Sequence, residues 1–342
     1  MRVAIIGAGL QGTRRAAAVC AAGGAQVTTV VDTDLARARR LGKLYGATHL
    51  DSWEKALTRD DVDAVIVCTP PSIHAAIGIV AAQHGKHILC EKPLGRTISE
   101  AQRMVTAAQD SGVVLKCGFN LRHHPSIVQA KSWVDEGRLG RLGFLRCRYG
   151  VGGREGYDSD WRVDPEVAGG GELVDQGTHI LDLARWFLGD FERGFSYSES
   201  YFWGKASVED NAFCLLRTSG GKVASFHVSW TQWRPLFSLE VFGQNGYVRV
   251  EGLGGAYGVE TVSLGLRDFN APFKEETIEF RGADRSWDAE WQEFAQAIKE
   301  GREPLGNGRD GLKALEMVTA LYRGARDGRQ VVFANEIQEE RG

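Results

Sequence analysis

Charge of one sign is what this chain most lacks. Lys and Arg total 41 against 44 Asp and Glu, a net −3 over 342 residues. Without a basic stripe, nucleic acid is not an expected partner, and without a like-charge block no disordered tail is expected. Cysteine is sparse: six scattered residues (Cys20, Cys68, Cys90, Cys117, Cys147, Cys214) with no C-x-x-C spacing. That argues against a thiolate metal site, and no metal is expected. It fits reduced, mostly buried thiols in a cytoplasmic protein. No segment reaches the roughly 18 consecutive apolar residues of a membrane helix, so no membrane partner is expected. The apolar run at Val3–Ile6 is too short for a signal peptide. There is no internal repeat and no obvious linker, and the 43 glycines are not periodic. The length suits two domains, each with its own core.

What is present begins as alternating strand and helix. Val3-Ala4-Ile5-Ile6 is continuously apolar, as in a strand buried on both faces. Glycines follow at once, then an alanine-rich helix from about Thr13 to Ala22. Strands are predicted at Gln26–Val31, Ala64–Cys68, His87–Cys90 and Val113–Cys117. Helices are predicted at Asp34–Tyr45, Ile73–His84 and Ser99–Ser111, the last with Ser99 as N-cap. Repeated βα units imply a doubly wound parallel sheet, a Rossmann-type α/β domain over residues 1–121.

Gly7, Gly9 and Gly12 form G-x-G-x-x-G, with Leu10 and Gln11 between them. The strand directly before, the helix directly after and Asp32, 20 residues past Gly12, make this a dinucleotide site. Gly7 allows the tight turn, Gly9 the approach of a pyrophosphate, and Gly12 close helix–strand packing. Asp32 can accept from both ribose hydroxyls and repels a 2′-phosphate, which favours NAD. Arg37, Arg39 and Arg40 leave NADP open. Two more segments lie at strand ends, where open α/β sheets bind ligands. In Thr69-Pro70-Pro71, Thr69 can reach the cofactor, while His74 reads as packing in the next helix. In Glu91-Lys92-Pro93, Lys92 is held at the carboxyl edge of the sheet, aimed where a nicotinamide belongs.

After Cys117 the alternation stops, and residues 122–342 read as an α+β domain with a large, mostly antiparallel sheet. Its most informative run is Gly169-Gly170-Gly171 followed by Asp175, His179 and Asp182. On a helix these acids and the imidazole stand one turn apart on one face, after glycines that admit a ligand. The opposite face, with Leu173, Ile180, Leu183, Ala184 and Phe187, is apolar. Strands fill about 195–279, with Asn245-Gly246 predicted as a type I′ hairpin turn. Both strand faces carry bulky groups, so one is expected to join a homodimer or homotetramer. Trp287–Lys299 and Gly311–Ala325 read as closing helices of this domain.

Taken together, Gly7-x-Gly9-x-x-Gly12, Thr69-Pro70 with His74, Glu91-Lys92-Pro93, Asn120-x-Arg122, and Gly169 to Gly171 with Asp175, His179 and Asp182 resemble the Gfo/Idh/MocA family of oxidoreductases. The resemblance implies NAD(P)-dependent oxidation or reduction at a sugar or cyclitol carbon. It also places Asn120 and Arg122 near cofactor and substrate, and makes Pro70 and Glu91 cofactor contacts. His179 is the expected proton acceptor, since its ordinary pKa lies near neutrality. Asp175 would orient it or hold a substrate hydroxyl, and Lys92 would stabilise alkoxide character. The resemblance brings lysine and histidine to the same oxygen, so which takes the proton stays open. Asp182 reads equally as a bridge to His179 or as a surface acid. Tyr157, Trp161 and Arg162 offer a sugar platform, with core or lid packing the other reading of Trp161. Arg154 suits the phosphate of a sugar nucleotide. The competing readings are a non-catalytic dinucleotide sensor and an enzyme recycling tightly bound nicotinamide between two sugars.

Overall fold

The computed structural model describes residues 1–203, 207–269 and 274–333. Residues 204–206 and 270–273 of the expected strand region, and 334–342 of the expected second domain, lie outside the described residues. The chain divides into two compact units, the first of Met1–Asn120, Glu166–Gly169 and Arg285–Lys313 and the second of Leu121–Pro165, Gly170–Asp284 and Ala314–Gly342. This differs from the contiguous 122–342 expected of the second domain. Among the described residues no helix is long and apolar enough to cross a membrane.

The first unit holds six strands: β1 (Arg2–Ile6), β2 (Gln26–Val31), β3 (Thr48–Leu50), β4 (Ala64–Val67), β5 (His87–Cys90) and β6 (Leu115–Cys117). They form one sheet in the order β3-β2-β1-β4-β5-β6, all parallel. The apolar runs of β1 and β4 are buried because helices cover both faces of a parallel sheet. Ile6 pairs with Val31 on one side and Val67 on the other, so the carboxyl ends of β1, β2 and β4 share one edge. The connection direction reverses between β1 and β4, which opens the ligand crevice of such sheets there.

Around the sheet run α1 (Leu10–Ala21), α2 (Leu35–Tyr45), α3 (Trp53–Leu57), α4 (His74–Gln83) and α5 (Ile98–Asp110). Helix α1 starts at Leu10, not near Thr13, so Gly12 lies in its first turn. The cap of α5 is Thr97, whose hydroxyl accepts from the Glu100 N–H, and not Ser99.

The remaining helices are α6 (Pro125–Asp135), α7 (Pro165–Ala168), α8 (Thr178–Leu188), α9 (Ser286–Glu300) and α10 (Gly308–Asp327). Helix α9 was expected to close the second domain, but it packs into the first. Trp291 and Phe294 bury completely in the core that holds Ala16 and Val19 of α1. The helical spacing of Trp287, Trp291, Phe294 and Ile298 gives α9 an apolar stripe, and the small side chains of α1 let it dock closely.

The second unit holds β7 (Leu142–Gly150), β8 (Phe191–Glu199), β9 (Asn211–Thr218), β10 (Val223–Ser229), β11 (Leu236–Gly243), β12 (Gly246–Glu251), β13 (Glu260–Leu266), β14 (Glu275–Phe280) and β15 (Val331–Val332). Their order is β14-β13-β12-β11-β7-β10-β9-β8-β15. Among the described ladders of this sheet only β7 and β10 pair in parallel. The apolar face of α8 is buried as expected: Leu173, Ile180, Leu183 and Ala184 are inaccessible and join strand residues such as Val228, Leu239 and Val250 in one core.

The β11–β12 hairpin forms with Phe242 opposite Tyr247. Its turn is not the expected type I′, because neither Asn245 nor Gly246 has positive φ. Gly246 is already in the strand, where a side chain would meet the Gly265 carbonyl at 2.3 Å. The turn is instead held by Gln244 and Asn245 donating their N–H groups to the Arg141 and Leu139 carbonyls.

Candidate active site

The glycine turn lies between β1 and α1 at the switch point. Gly7 has φ +101°, and a side chain there would meet the Cys68 carbonyl at 2.6 Å. A side chain on Gly12 would strike the Gly7 carbonyl, at 1.8 Å, whereas one on Gly9 would meet nothing within 4 Å. Two of the three glycines thus close the turn, and the third leaves open space at the start of α1. No acid stands in the first turn of α1 to repel a phosphate. Asp32 holds the turn from below: Oδ2 accepts from the Ala8 N–H at 2.8 Å and Oδ1 from the Asp34 N–H at 2.8 Å. Asp34, not Asp32, caps α2. Arg37 is exposed and pairs with Asp34 at 3.0 Å.

Two buried polar atoms lie at this edge with no hydrogen-bond partner among the described residues: the Thr69 hydroxyl and the Gln11 amide oxygen. Such orphans are costly unless a ligand satisfies them. With the open Gly9 face and the fixed Asp32 carboxylate, they fit a dinucleotide: Gly9 and the α1 amides at pyrophosphate, Asp32 at ribose, Thr69 and Gln11 as further contacts.

The turn after β5 is anchored on both sides of half-buried Lys92. The carboxylate of Glu91, a residue expected at the cofactor, is bound by Arg15. Arg15 Nε donates to Glu91 Oε1 at 2.7 Å and Nη1 to Glu290 Oε2 at 2.5 Å. Arg15 is wholly buried, and its guanidinium lies 4.5 Å from the Trp287 ring centre. Beyond Lys92, the peptide to Pro93 is cis, and His74 meets the Pro93 carbonyl with Nδ1 at 2.8 Å and the Thr69 carbonyl with Nε2 at 2.7 Å. His74, expected as packing or a cofactor contact, therefore ties the Thr69 turn to the Lys92 turn. Burial pushes its pKa down, opposed by the two carbonyls. Asn120 is buried and donates its amide to Ser286 Oγ at 3.1 Å.

In the second unit, Arg122 makes a buried two-point pair with Asp182, Nε to Oδ2 at 2.7 Å and Nη2 to Oδ1 at 2.5 Å. Asp182 is thus a buried, paired carboxylate and not a surface acid. Arg122 also stacks on Trp186.

The run bearing Asp175 and His179 is helical but not uniformly α. Leu173–Gly177 is a π-turn, and α8 continues from Thr178. The turn departs from the uniform α-helix expected there, and such π-turns concentrate at functional sites. Asp175 is half-buried and His179 buried. The preceding glycines serve packing rather than ligand approach. A side chain on Gly170 would strike the Tyr322 hydroxyl and one on Gly171 the Glu209 carbonyl. Below them Tyr322 donates to Glu209 Oε1 at 2.6 Å, and the same oxygen accepts from the Leu173 N–H at 2.9 Å. Burial raises the Glu209 pKa against these bonds.

Tyr157 packs against Trp203 and Trp230. Burial raises its pKa, and the Asp175 and Glu172 charges raise it further. Tyr149, 3.4 Å hydroxyl to hydroxyl from Tyr257, is raised by burial, by Tyr257 and by the same two acids. Tyr149 and Tyr257 carried no local signal, because sheet and loop bring them together from positions 108 residues apart. Trp161 is partly exposed, with Arg162 over its ring at 4.5 Å. Arg162 and Arg154 both pair with Asp160, which takes up the charge that a sugar-nucleotide phosphate would need. Arg15 and Glu290 were also missed. An arginine beside Ala16 and Val19 on a helix face was the only available signal.

Residues 1–119 match the GFO/IDH/MocA model described as an oxidoreductase family with NAD-binding Rossmann fold, and 127–249 match the GFO/IDH/MocA C-terminal domain. Among curated relatives, levoglucosan dehydrogenase of Pseudarthrobacter phenanthrenivorans is 26% identical over 83% of this chain and 79% of its own. The 1,5-anhydro-D-fructose reductase of Ensifer adhaerens is 29% identical over 89% and 90%, and the inositol 2-dehydrogenase of Rhizobium meliloti 27% over 98% and 99%. A levoglucosan dehydrogenase solved with NADH and levoglucosan shares the fold, with TM-score 0.89 at 23% identity over 97% of this chain and 98% of that one. Two family models thus cover the first sheet with its glycine turn and the second sheet from β7 into β12, and the chain belongs to the GFO/IDH/MocA oxidoreductases, with an NAD-binding Rossmann domain.

Proposed function

We propose that the protein is an NAD-dependent dehydrogenase that interconverts a secondary hydroxyl and a ketone on a sugar, sugar derivative or cyclitol. The observation that carries this is the edge of the parallel sheet. The Asp32-anchored glycine turn, the orphan Thr69 hydroxyl and Lys92, held between Glu91 and Pro93, all belong to that edge. The relatives' names, covering levoglucosan, anhydrofructose and inositol, give the substrate class. Bound at this edge, NAD would supply the hydride acceptor for the substrate carbon. Lys92 donates a hydrogen bond to the reacting oxygen. His179 takes the hydroxyl proton and returns it in reduction. Asp175 orients the imidazole or holds a neighbouring hydroxyl, and Tyr157 with Trp161 and Arg162 bounds the sugar. Arg122 acts by fixing Asp182 one turn beyond His179. Asp32 selects NAD over NADP, since Arg37 is already paired.

The outer face of the second sheet supports a homo-oligomer. Tyr197, Phe213 and Leu215 are exposed there, around a shallow depression of about 660 Å³. A second copy of the same face would cover them. The unbridged thiols suit a reducing cytoplasm.

The test is the near-ultraviolet absorbance of reduced nicotinamide with NAD and a panel of hexoses, anhydrosugars and inositols. At least one should turn over, and Lys92→Met and His179→Ala should each lower kcat by about 10² or more with NAD still bound. Wild-type turnover in both variants refutes the assignment.

A further inference from the structure

We propose that Arg15, braced by Glu290, is a positioning residue for Lys92. This rests on the catalytic reading of Lys92 above. Arg15 lies in α1, one turn past Gly12, on the helix whose first turn faces the pyrophosphate. Its side chain turns inward and is fully buried. Nε donates to Glu91 Oε1 at 2.7 Å, with Nη2 at the same distance from that oxygen as an ion-pair contact without a hydrogen bond, and Nη1 donates to Glu290 Oε2 at 2.5 Å. Glu290 is itself inaccessible, with the buried Lys116 ammonium 3.8 Å from its other oxygen.

A buried arginine held by two carboxylates is not an economical way to gain stability, because well-packed apolar groups often do as well or better. What the fork supplies is fixed geometry. Glu91 is the residue before Lys92, and its N–H is tied to the Val67 carbonyl at 2.9 Å. With its carboxylate also tied, the peptide entering Lys92 cannot turn. His74 holds the Pro93 carbonyl on the far side. The flexible Lys92 side chain thus starts from a base locked to the cofactor helix, and Glu290 carries that lock to α9. The close approach has no slack: a side chain on Gly118 would stand 2.9 Å from Arg15 Nη2 and 3.0 Å from Glu91 Oε2. A misplacement of about 1 Å can cost about 10² in rate, so the fork acts on catalysis without touching substrate.

The decisive variant is Arg15→Lys, which keeps the charge and loses the fork. Glu290→Gln is its partner, loosening the brace without removing Arg15. For both, kcat should fall about tenfold, with KM for NAD changed less than about threefold. Deuterium at the reacting carbon should slow the variants more than the wild type, because the chemical step has become limiting. In a Lys92→Met background the residual rate should not fall further with Arg15→Lys, since the two act as one unit. Wild-type kcat in folded Arg15→Lys and Glu290→Gln overturns the proposal, as does an equal further loss in the Lys92→Met background. Full turnover by Lys92→Met itself instead removes the reading on which the proposal stands.

Discussion

Single residues here divide by what backbone geometry can reveal. Gly7, Gly9, Gly12 and Asp32 were legible because a strand, a turn and a helix constrain them locally. Arg15 and Glu290 were not, since their bond spans 275 positions and nothing near either residue announces it. Asp32 gives the residue-scale prediction. Its carboxylate both fixes the Ala8 N–H and stands ready for the ribose. Asp32→Ala should therefore weaken NAD about tenfold, the loss of one charge-assisted bond, and weaken NADP far less. Fluorescence titration with both reduced cofactors checks it. An unchanged ratio of the two affinities would mean that Asp32 only holds the turn.

At the scale of elements, the helix bearing Asp175 and His179 was readable as a helix from its apolar face, but the π-turn was not. It depends on Glu209 and Tyr322 beneath the glycines, which come from elsewhere in the chain. The start of α6 shows the same dependence on a distant partner. Pro125 stands at its first position, and the orphan N–H of Ser126 is met by Glu260 of β13. Glu260 Oε1 accepts from Ser126 N at 3.0 Å and from Ser126 Oγ at 2.6 Å, while Oε2 meets His124 Nδ1 at 3.1 Å and the Gly254 N–H at 2.8 Å. Burial alone would raise the Glu260 pKa, but His124, Ser126 and Gly254 outweigh it and hold the carboxyl down at about 2, against an ordinary 4.5. A depressed carboxyl stabilises the fold above its unfolded pKa and loses that stabilisation as pH falls toward its folded one. The contribution, roughly 3 kcal/mol at neutral pH, should fade between about pH 4.5 and about pH 2. Glu260→Gln should lower Tm clearly near pH 6 and much less near pH 3. A gap between the two proteins that stays constant with pH would show that charge at Glu260 does not matter to α6.

For the whole molecule, the two-sheet architecture was legible from strand–helix alternation giving way to β periodicity, and the division of the chain was not. Residues 285–313 return to the first unit because the stripe of α9 matches the alanine face of α1, a match between segments that neither sequence shows alone. The outer face of the second sheet poses the corresponding question between molecules. Its strands alternate as if both faces were buried: Phe144 stacks on Phe242 at 4.6 Å and Phe213 on His227 at 4.1 Å, while Tyr197 and Leu215 remain 58% and 53% exposed. Arg146 lies over Phe144 and Phe242 and pairs with Glu240 at 3.0 Å, so that charge is matched within the face. A largely apolar sheet face of this kind suits a two-fold copy of itself. Leu215→Lys should place a like charge opposite its own symmetry neighbourhood without touching the core, since Leu215 points away from Leu216 and Cys214. Light scattering should then show the wild type as a dimer or tetramer and Leu215→Lys shifted toward monomer, with NAD affinity retained because the glycine turn belongs to the other unit. A wild type that is monomeric at micromolar concentration would leave this face to some other partner, and an unshifted Leu215→Lys oligomer would place the interface elsewhere.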